Sequence, residues 1–276
     1  MTAPITDLSK LCIHTITTKP WAIEKSAEEF GKIGVKGISV WRDTLQGRNI
    51  PGTGDMIRSN GLTIVSLVRG GFFPSANTTI RQKAIDDNRL AIDEAAALGA
   101  PMVVLVCGAE PKIPLSQSRD HIKAGIESLL PYCEANNVKL AIEPLHPMYA
   151  DTRSAINTLG QANDMAEYFD SKYVGVAVDV YHLWWDPHLE QEIYRCGEHG
   201  NLYAFHICDW LSPTVDMLND RGLMGDGCID IKTIRGWVEK AGFDGFNEVE
   251  IFSNKHWAED QHGFLQKIQS AYLEKS

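Results

Sequence analysis

The stretch RQKAIDDNRLAIDEAAALGAPMVVLVC (residues 81–107) changes its period once, at a glycine. As far as Leu98 the apolar residues are interleaved with acids, amides and arginines, as on a helix that buries one face. Gly99 suits the left-handed turn that ends such a helix, and Pro101 cannot continue it. The run MVVLVC then follows, rich in β-branched residues, apolar on both faces and too short for a buried helix; it reads as a strand covered on both sides.

The same punctuation recurs along the whole chain: an amphipathic stretch ends at Gly or Asn and a β-rich run begins a few residues later. The runs are LCIHTIT (11–17), GISVW (37–41), LTIVSLV (62–68), MVVLVC (102–107), KLAIE (139–143), VGVAVDV (174–180), YAFHIC (203–208) and EVEIF (248–252). Helical stretches fall between them, such as WAIEKSAEEFGKIG before the second run and IKTIRGWVEKAG before the eighth. Strict βα alternation needs right-handed parallel crossovers, and eight units in 276 residues predict an α/β chain folded as one (β/α)8 barrel domain over residues 1–276. An open doubly wound sheet is the main alternative; the first run is not followed by a GxGxxG loop.

Composition narrows the function. A net charge of -10 argues against tracking a nucleic-acid backbone and favours a small neutral or cationic ligand. The six cysteines show no CxxC spacing, so neither a disulfide framework nor a thiolate metal cage is expected. MTAPITDLSK lacks a basic-then-apolar leader, and no stretch approaches the roughly 20 apolar residues of a membrane span. The expectation is a cytoplasmic protein without a membrane partner.

In a barrel of this kind, functional residues stand at the C-terminal ends of the strands. Glu143 closes the fifth run, Asp179 nearly closes the sixth, His206 lies in the seventh, and Glu248 and Glu250 lie two apart in the eighth. Acids converging on one barrel mouth need a cation or protons to neutralise them. Three carboxylates and one imidazole form a hard, oxygen-rich set that suits Mn, Mg or Co. Either glutamate of the eighth run could complete it.

Taken in order, IEPL, VDVYH, FHICDW, DRGLMGDGCID and AGFDGFNEVEIFS resemble the xylose-isomerase-like TIM barrels, and among them the sugar phosphate isomerase/epimerase group. The resemblance is strong from about residue 139 to 257 and one of layout only in the first hundred residues. It implies one divalent metal, with Mn preferred and Mg or Co as alternatives, held by Glu143, Asp179, His206 and Glu250. Glu250 falls at the family's count after GFDG, which leaves Glu248 to contact a ligand or the substrate. His182 in DVYH and Arg221 in DRG resemble the family's substrate-contacting residues. Asp226 in GDG reads as a turn. The family's apurinic endonucleases use extra histidines on early strands, whereas here those strands end in LVRGG and LVCGAE, so no nucleic-acid partner is expected.

A metal that holds a ketone oxygen and the neighbouring hydroxyl acidifies the carbon between them. In the family's ketose epimerases two ligand glutamates exchange that proton, a role that Glu143 and Glu250 would take here. With a leaving group one carbon further on, the outcome becomes β-elimination. His146 bears on this choice: it stands three after Glu143, where those epimerases commonly have asparagine, and a neutral imidazole is a usable base. LHPMYAD is similar to the larger subunit of the C-glycoside deglycosidases, which eliminate the aglycone from 3-oxo-glycosides and pair with a small β subunit. Elimination from a 3-oxo-glycoside by a metal-dependent lyase, with His146 as base and Glu143 and Glu250 beside it, is the leading expectation. Ketose 3-epimerisation or aldose–ketose isomerisation is the alternative, and a non-catalytic sugar-binding protein stands behind both. The partners expected are a keto-sugar and either a small β subunit or further copies of the chain. Trp41 and Trp185 are expected to stack on the sugar or aglycone, with Phe72, Phe73, Tyr149, Trp184 and Trp257 on the same loops. Arg69 alone is weak evidence for a phosphate.

Overall fold

In the computed structural model, which describes residues 3–276, the helix Thr78–Leu98 stops at Gly99, whose φ of 83° is left-handed and whose N–H bonds back to Ala95 O. The helix Leu115–Asn136 ends in the same way at Asn137, with φ 52°. Each stop turns the chain directly into a strand. The strands are β1 (Leu11–His14), β2 (Gly37–Trp41), β3 (Thr63–Gly71), β4 (Met102–Val106), β5 (Lys139–Glu143), β6 (Val174–Asp179), β7 (Leu202–Ile207), β8 (Asp209–Trp210), β9 (Arg221–Gly222) and β10 (Asn247–Val249).

Eight of them close a parallel barrel in the order β1-β10-β7-β6-β5-β4-β3-β2, which is the (β/α)8 architecture expected from the sequence. The short antiparallel pair β8 and β9 stands on the C-terminal rim. Two barrel strands, β1 and β10, stop three residues before the ends of their apolar runs, 11–17 and 248–252. Thr17 Oγ1 donates to Val249 O and accepts from Ile251 N–H, both at 3.0 Å, so a side chain replaces the ladder where the chain bends over the rim. β3 instead runs on to Gly71, past a register shift between Val68 and Gly70.

The helices bury one stripe each. In Ile23–Lys32, the residues Ile23, Ala27 and Phe30 are four and three apart and all buried. A side chain such as Phe30 contributes about 1.5–3 kcal/mol by leaving water. Inside the barrel, Cys12, Val104, Ala141, Ala177 and Ala204 form an apolar layer of mostly small side chains. Register fixes what stands near it: Asp179 is opposite His206, His206 opposite Glu248, and Glu248 opposite Cys12. Among the described residues no helix is long and apolar enough to cross a membrane.

Candidate metal centre

Glu143 closes β5, Asp179 closes β6, His206 projects from β7, and Glu250 follows the last residue of β10. All four are buried. Each offers one oxygen or imidazole nitrogen, and these atoms lie within 4.8 Å of one another. An ion held at about 2.0–2.3 Å spans donors that are roughly 4 Å apart, so the set fits a divalent metal with little contraction. Its composition, three carboxylates and one imidazole without a thiolate, is that of a hard or borderline site.

The groups around these four set their charges. His206 Nδ1 lies 2.9 Å from Glu143 Oε1. Burial works to lower the His206 pKa, but the bond to Glu143 and the charges of Glu248, Glu143 and Glu250 outweigh it and hold the imidazole up at about 10. Burial pushes the Asp179 carboxyl up to about 7; Arg221 opposes this, while Glu143 and Glu250 add to it. Glu250 goes the other way: burial acts to raise it, but the charges of His14 and Arg221 prevail and hold it well below the carboxylate range.

Arg221 donates from Nη1 to Glu250 Oε2 at 2.8 Å and to Asp179 Oδ2 at 3.2 Å, and its Nη2 is 3.2 Å from His182 Nε2. Burial, followed by the Arg221 charge, depresses the His182 pKa, so that ring is neutral. Asp209 holds the loop that delivers Arg221. Its carboxylate accepts from the backbone N–H groups of Trp210, Gly225, Gly227 and Ile229 at 2.8–3.0 Å. Asp226 is exposed in that loop, and its N–H closes a turn on Leu223 O.

A cavity of about 20 Å³ opens beside Glu143 and Glu250, lined also by His182, Arg221, Trp41 and Tyr149. That is room for a water or an ion and too little for a sugar. Leu218 also lines it, on a segment whose Met217 carbonyl accepts from the Tyr149 and Tyr181 hydroxyls. Arg153 also reaches the cavity.

His146 and Trp185, expected at the substrate, do not line this space, and Glu248, expected to contact a ligand or the substrate, lies beside the candidate ligand His206. The His146 ring stacks on Trp210 at 5.1 Å and meets the edge of Trp185 at 5.7 Å. His146 Nδ1 accepts from Met148 N–H at 3.2 Å, which bends its side chain back over the short turn Pro147–Tyr149. Trp185 is tied down by its Nε1–H, which donates to His182 O at 2.8 Å. Glu248 is fully buried and faces inward to His14 and Ser39. Phe73 is core, Phe72 is exposed, and Trp257 donates to Ile16 O. His14, Ser39, Asp209, Arg153 and Leu218 are among the residues that the sequence did not single out. The only signal for His14 is a histidine inside the apolar run LCIHTIT.

A parallel barrel with three acids and an imidazole converging at its C-terminal rim defines a (β/α)8 protein with a candidate metal site. Residues 25–268 match the xylose isomerase-like TIM barrel family, and the chain belongs to it. It superimposes over 98% of its length on 99% of the crystal structure of protein SMc04130 from Sinorhizobium meliloti, with a TM-score of 0.94 and 44% identity. The crystal structure of the IolI protein with a bound zinc atom aligns over 96% of this chain and 97% of that one, with a TM-score of 0.84 and 19% identity. The inosose isomerase of Halalkalibacterium halodurans is 23% identical over 190 residues, 67% of this chain, which spans 65% of that relative's length.

Proposed function

We propose that this chain is a divalent-metal-dependent sugar isomerase or epimerase that moves a proton on the carbon next to the ketone of a keto-sugar or inosose. One observation carries the proposal: Glu143, Asp179, His206 and Glu250 meet within 4.8 Å at the C-terminal face of the barrel, where Glu143 and Glu250 also line a small cavity. The family and the similarity to an inosose isomerase support the substrate class. Mn, Mg, Co or Zn suits the donor set, with Mn preferred for its three oxygens.

The four residues would hold the ion, which would supply a positive charge at the ketone and its neighbouring hydroxyl. Glu143 and Glu250 come from strands separated by β6 and β7 and flank the same cavity. Glu143 removes the proton from one side and, by giving it back to the adjacent carbon, isomerises the sugar; inversion of the first carbon requires instead that Glu250 first take up a proton and deliver it to the opposite face while Glu143 keeps the one it removed. Glu250 Oε2 accepts from Arg221 at 2.8 Å and its Oε1 lies 3.0 Å from His14 Nδ1, which leaves Glu143 as the freer base. Arg221 and neutral His182 donate hydrogen bonds to oxygens of the substrate as charge builds on them.

Elimination from a 3-oxo-glycoside is the second reading. Burial lowers the His146 pKa, so this imidazole is neutral and able to act as a base at pH 7. Its packing between Trp185 and Trp210 weighs against that role, and the small β subunit belongs to this reading alone. Proton NMR in D2O, on protein stripped with a chelator and reloaded with Mn and then exchanged to Mg, tests both. Deuterium entry beside the ketone of an inosose, a ketohexose or a 3-oxo-glycoside without loss of a group is the expected result. Release of the aglycone would instead establish elimination, and no exchange with any of the three would overturn the proposal.

A further inference from the structure

Beneath the four candidate ligands lies a second polar cluster that the proposed reaction leaves idle. His14 and Glu248 are both 0% exposed. Glu248 Oε2 accepts from Ser39 Oγ at 2.5 Å, faces His14 Nε2 at 3.1 Å and lies 3.9 Å from His206 Nε2. The other nitrogen of His14 is 3.0 Å from Glu250 Oε1, and the His14 and His206 rings meet edge to face at 4.7 Å. The cluster thus touches two of the four ligands from below.

Among the described residues, no lysine or arginine pairs with Glu248. A carboxylate so deep in a barrel is expensive to bury, and an apolar side chain in its place would pack against the neighbouring apolar layer without that cost. Stability therefore does not account for Glu248. Three buried polar atoms also lack a well-directed hydrogen-bond partner: His14 Nδ1, His206 Nε2 and Glu248 Oε1. They lie where Glu248 meets His206 and where His14 meets Glu250.

We propose that Glu248 and His14 are positioning residues of the metal centre. Glu248 orients His14 and the Nε2 side of His206, so that His206 presents Nδ1 upward. His14 in turn sets its Nδ1 edge 3.0 Å from Oε1 of Glu250 and so limits which edge of that carboxylate faces an ion. Carboxylates and histidines one bond removed from a metal commonly act in this way, by setting the tautomer and the angle of the ligand. The inference rests on the metal-centre part of the proposed function and does not depend on which keto-sugar reacts.

Mn²⁺ itself is the probe, with affinity measured by competition against a chelating dye and the environment of the ion by electron paramagnetic resonance. Wild type is expected to bind one Mn²⁺ per chain. Glu248→Gln and His14→Gln are expected to bind it about 10–100-fold more weakly, with an altered Mn²⁺ spectrum. The double variant is expected to be little weaker than either single one, because the two act as a unit. Ser39→Ala keeps both charges but frees Glu248, and is expected to weaken binding about threefold, with a smaller change in the spectrum. Unchanged affinity and spectrum in Glu248→Gln and His14→Gln would overturn the proposal. So would a second Mn²⁺ per wild-type chain that the variants lose, since the pair would then be ligands. Should both variants fail to fold, unchanged binding in Ser39→Ala overturns it. A wild type that binds no ion removes the metal centre as well, whereas a binding wild type with indifferent variants removes only this inference.

Discussion

The half of the barrel from β1 to β4 and the half from β5 to β10 share one backbone plan and differ in what stands at the strand ends. β2 ends in Trp41, β3 in Gly71 and β4 in Val106, whereas β5 ends in Glu143, β6 in Asp179, and Glu250 follows β10. The first half contributes Trp41 to the cavity wall and Ser39 and His14 to the polar cluster; the second contributes the candidate ligand set. A parallel ladder closes with backbone groups alone and makes no demand on these end positions. The chemistry is therefore concentrated where the ladder stops, and the two halves can fail in different ways.

The largest effect is expected from Glu250→Gln. It should lower turnover about 10³–10⁴-fold and bring metal content below one ion per chain, with an unchanged far-ultraviolet circular dichroism spectrum. Normal turnover in this variant would break the division of labour between the halves. Phe30→Ala, on the helix between β1 and β2, is the counterpart: a loss of about 3–5 kcal/mol of stability by denaturant titration, with Mn²⁺ affinity kept. Arg221→Met is expected to cost the metal-free protein about 3 kcal/mol, because it strands Asp179 and Glu250 as buried acids. Loading Mn²⁺ should reduce that cost, and thermal melts with and without the ion measure the difference.

His146→Ala should have the smallest effect, within about threefold of wild-type turnover for an isomerase or epimerase. The pH profile sharpens the test. A base must be neutral, and burial lowers the His146 pKa from 6.5, so catalysis by His146 would fall away on the acid side below 6.5. An acid limb that disappears in His146→Ala would assign the proton transfer to His146 and revive elimination; one that persists belongs to the other groups.

The barrel is legible in the sequence because each strand is an apolar run bounded by a stop signal, as at Gly99 and Asn137. The strand-end acids can be picked out because a carboxylate breaks such a run visibly, as Glu143 does in LAIEP. His14 is not legible: its partner Glu248 is 234 residues away, and within LCIHTIT it passes for one more buried residue. The choice between Glu248 and Glu250 is hidden for the same reason. Both point into the barrel, and only their depth, one meeting Ser39 and the other Arg221, separates them. His146 misleads in the opposite direction. Three residues from Glu143 looks close in sequence, but a 3₁₀ turn with its own cap swings the ring onto Trp210.

Asp209 gathers four backbone amides and so pins the loop on the C-terminal side of β9, while β8 and β9 clamp the two ends of the segment 211–220 to each other. That makes the ten residues between the clamps a replaceable cassette. Within it Leu218 faces the cavity, and Val215 and Met217 face solvent. A designer who wants a different sugar accepted can exchange the cassette whole, lengthen it or shorten it, and leave the anchoring carboxylate to hold Arg221 in register. The same economy is open to evolution: relatives can diverge in what they admit while keeping one clasp and one set of strand ends.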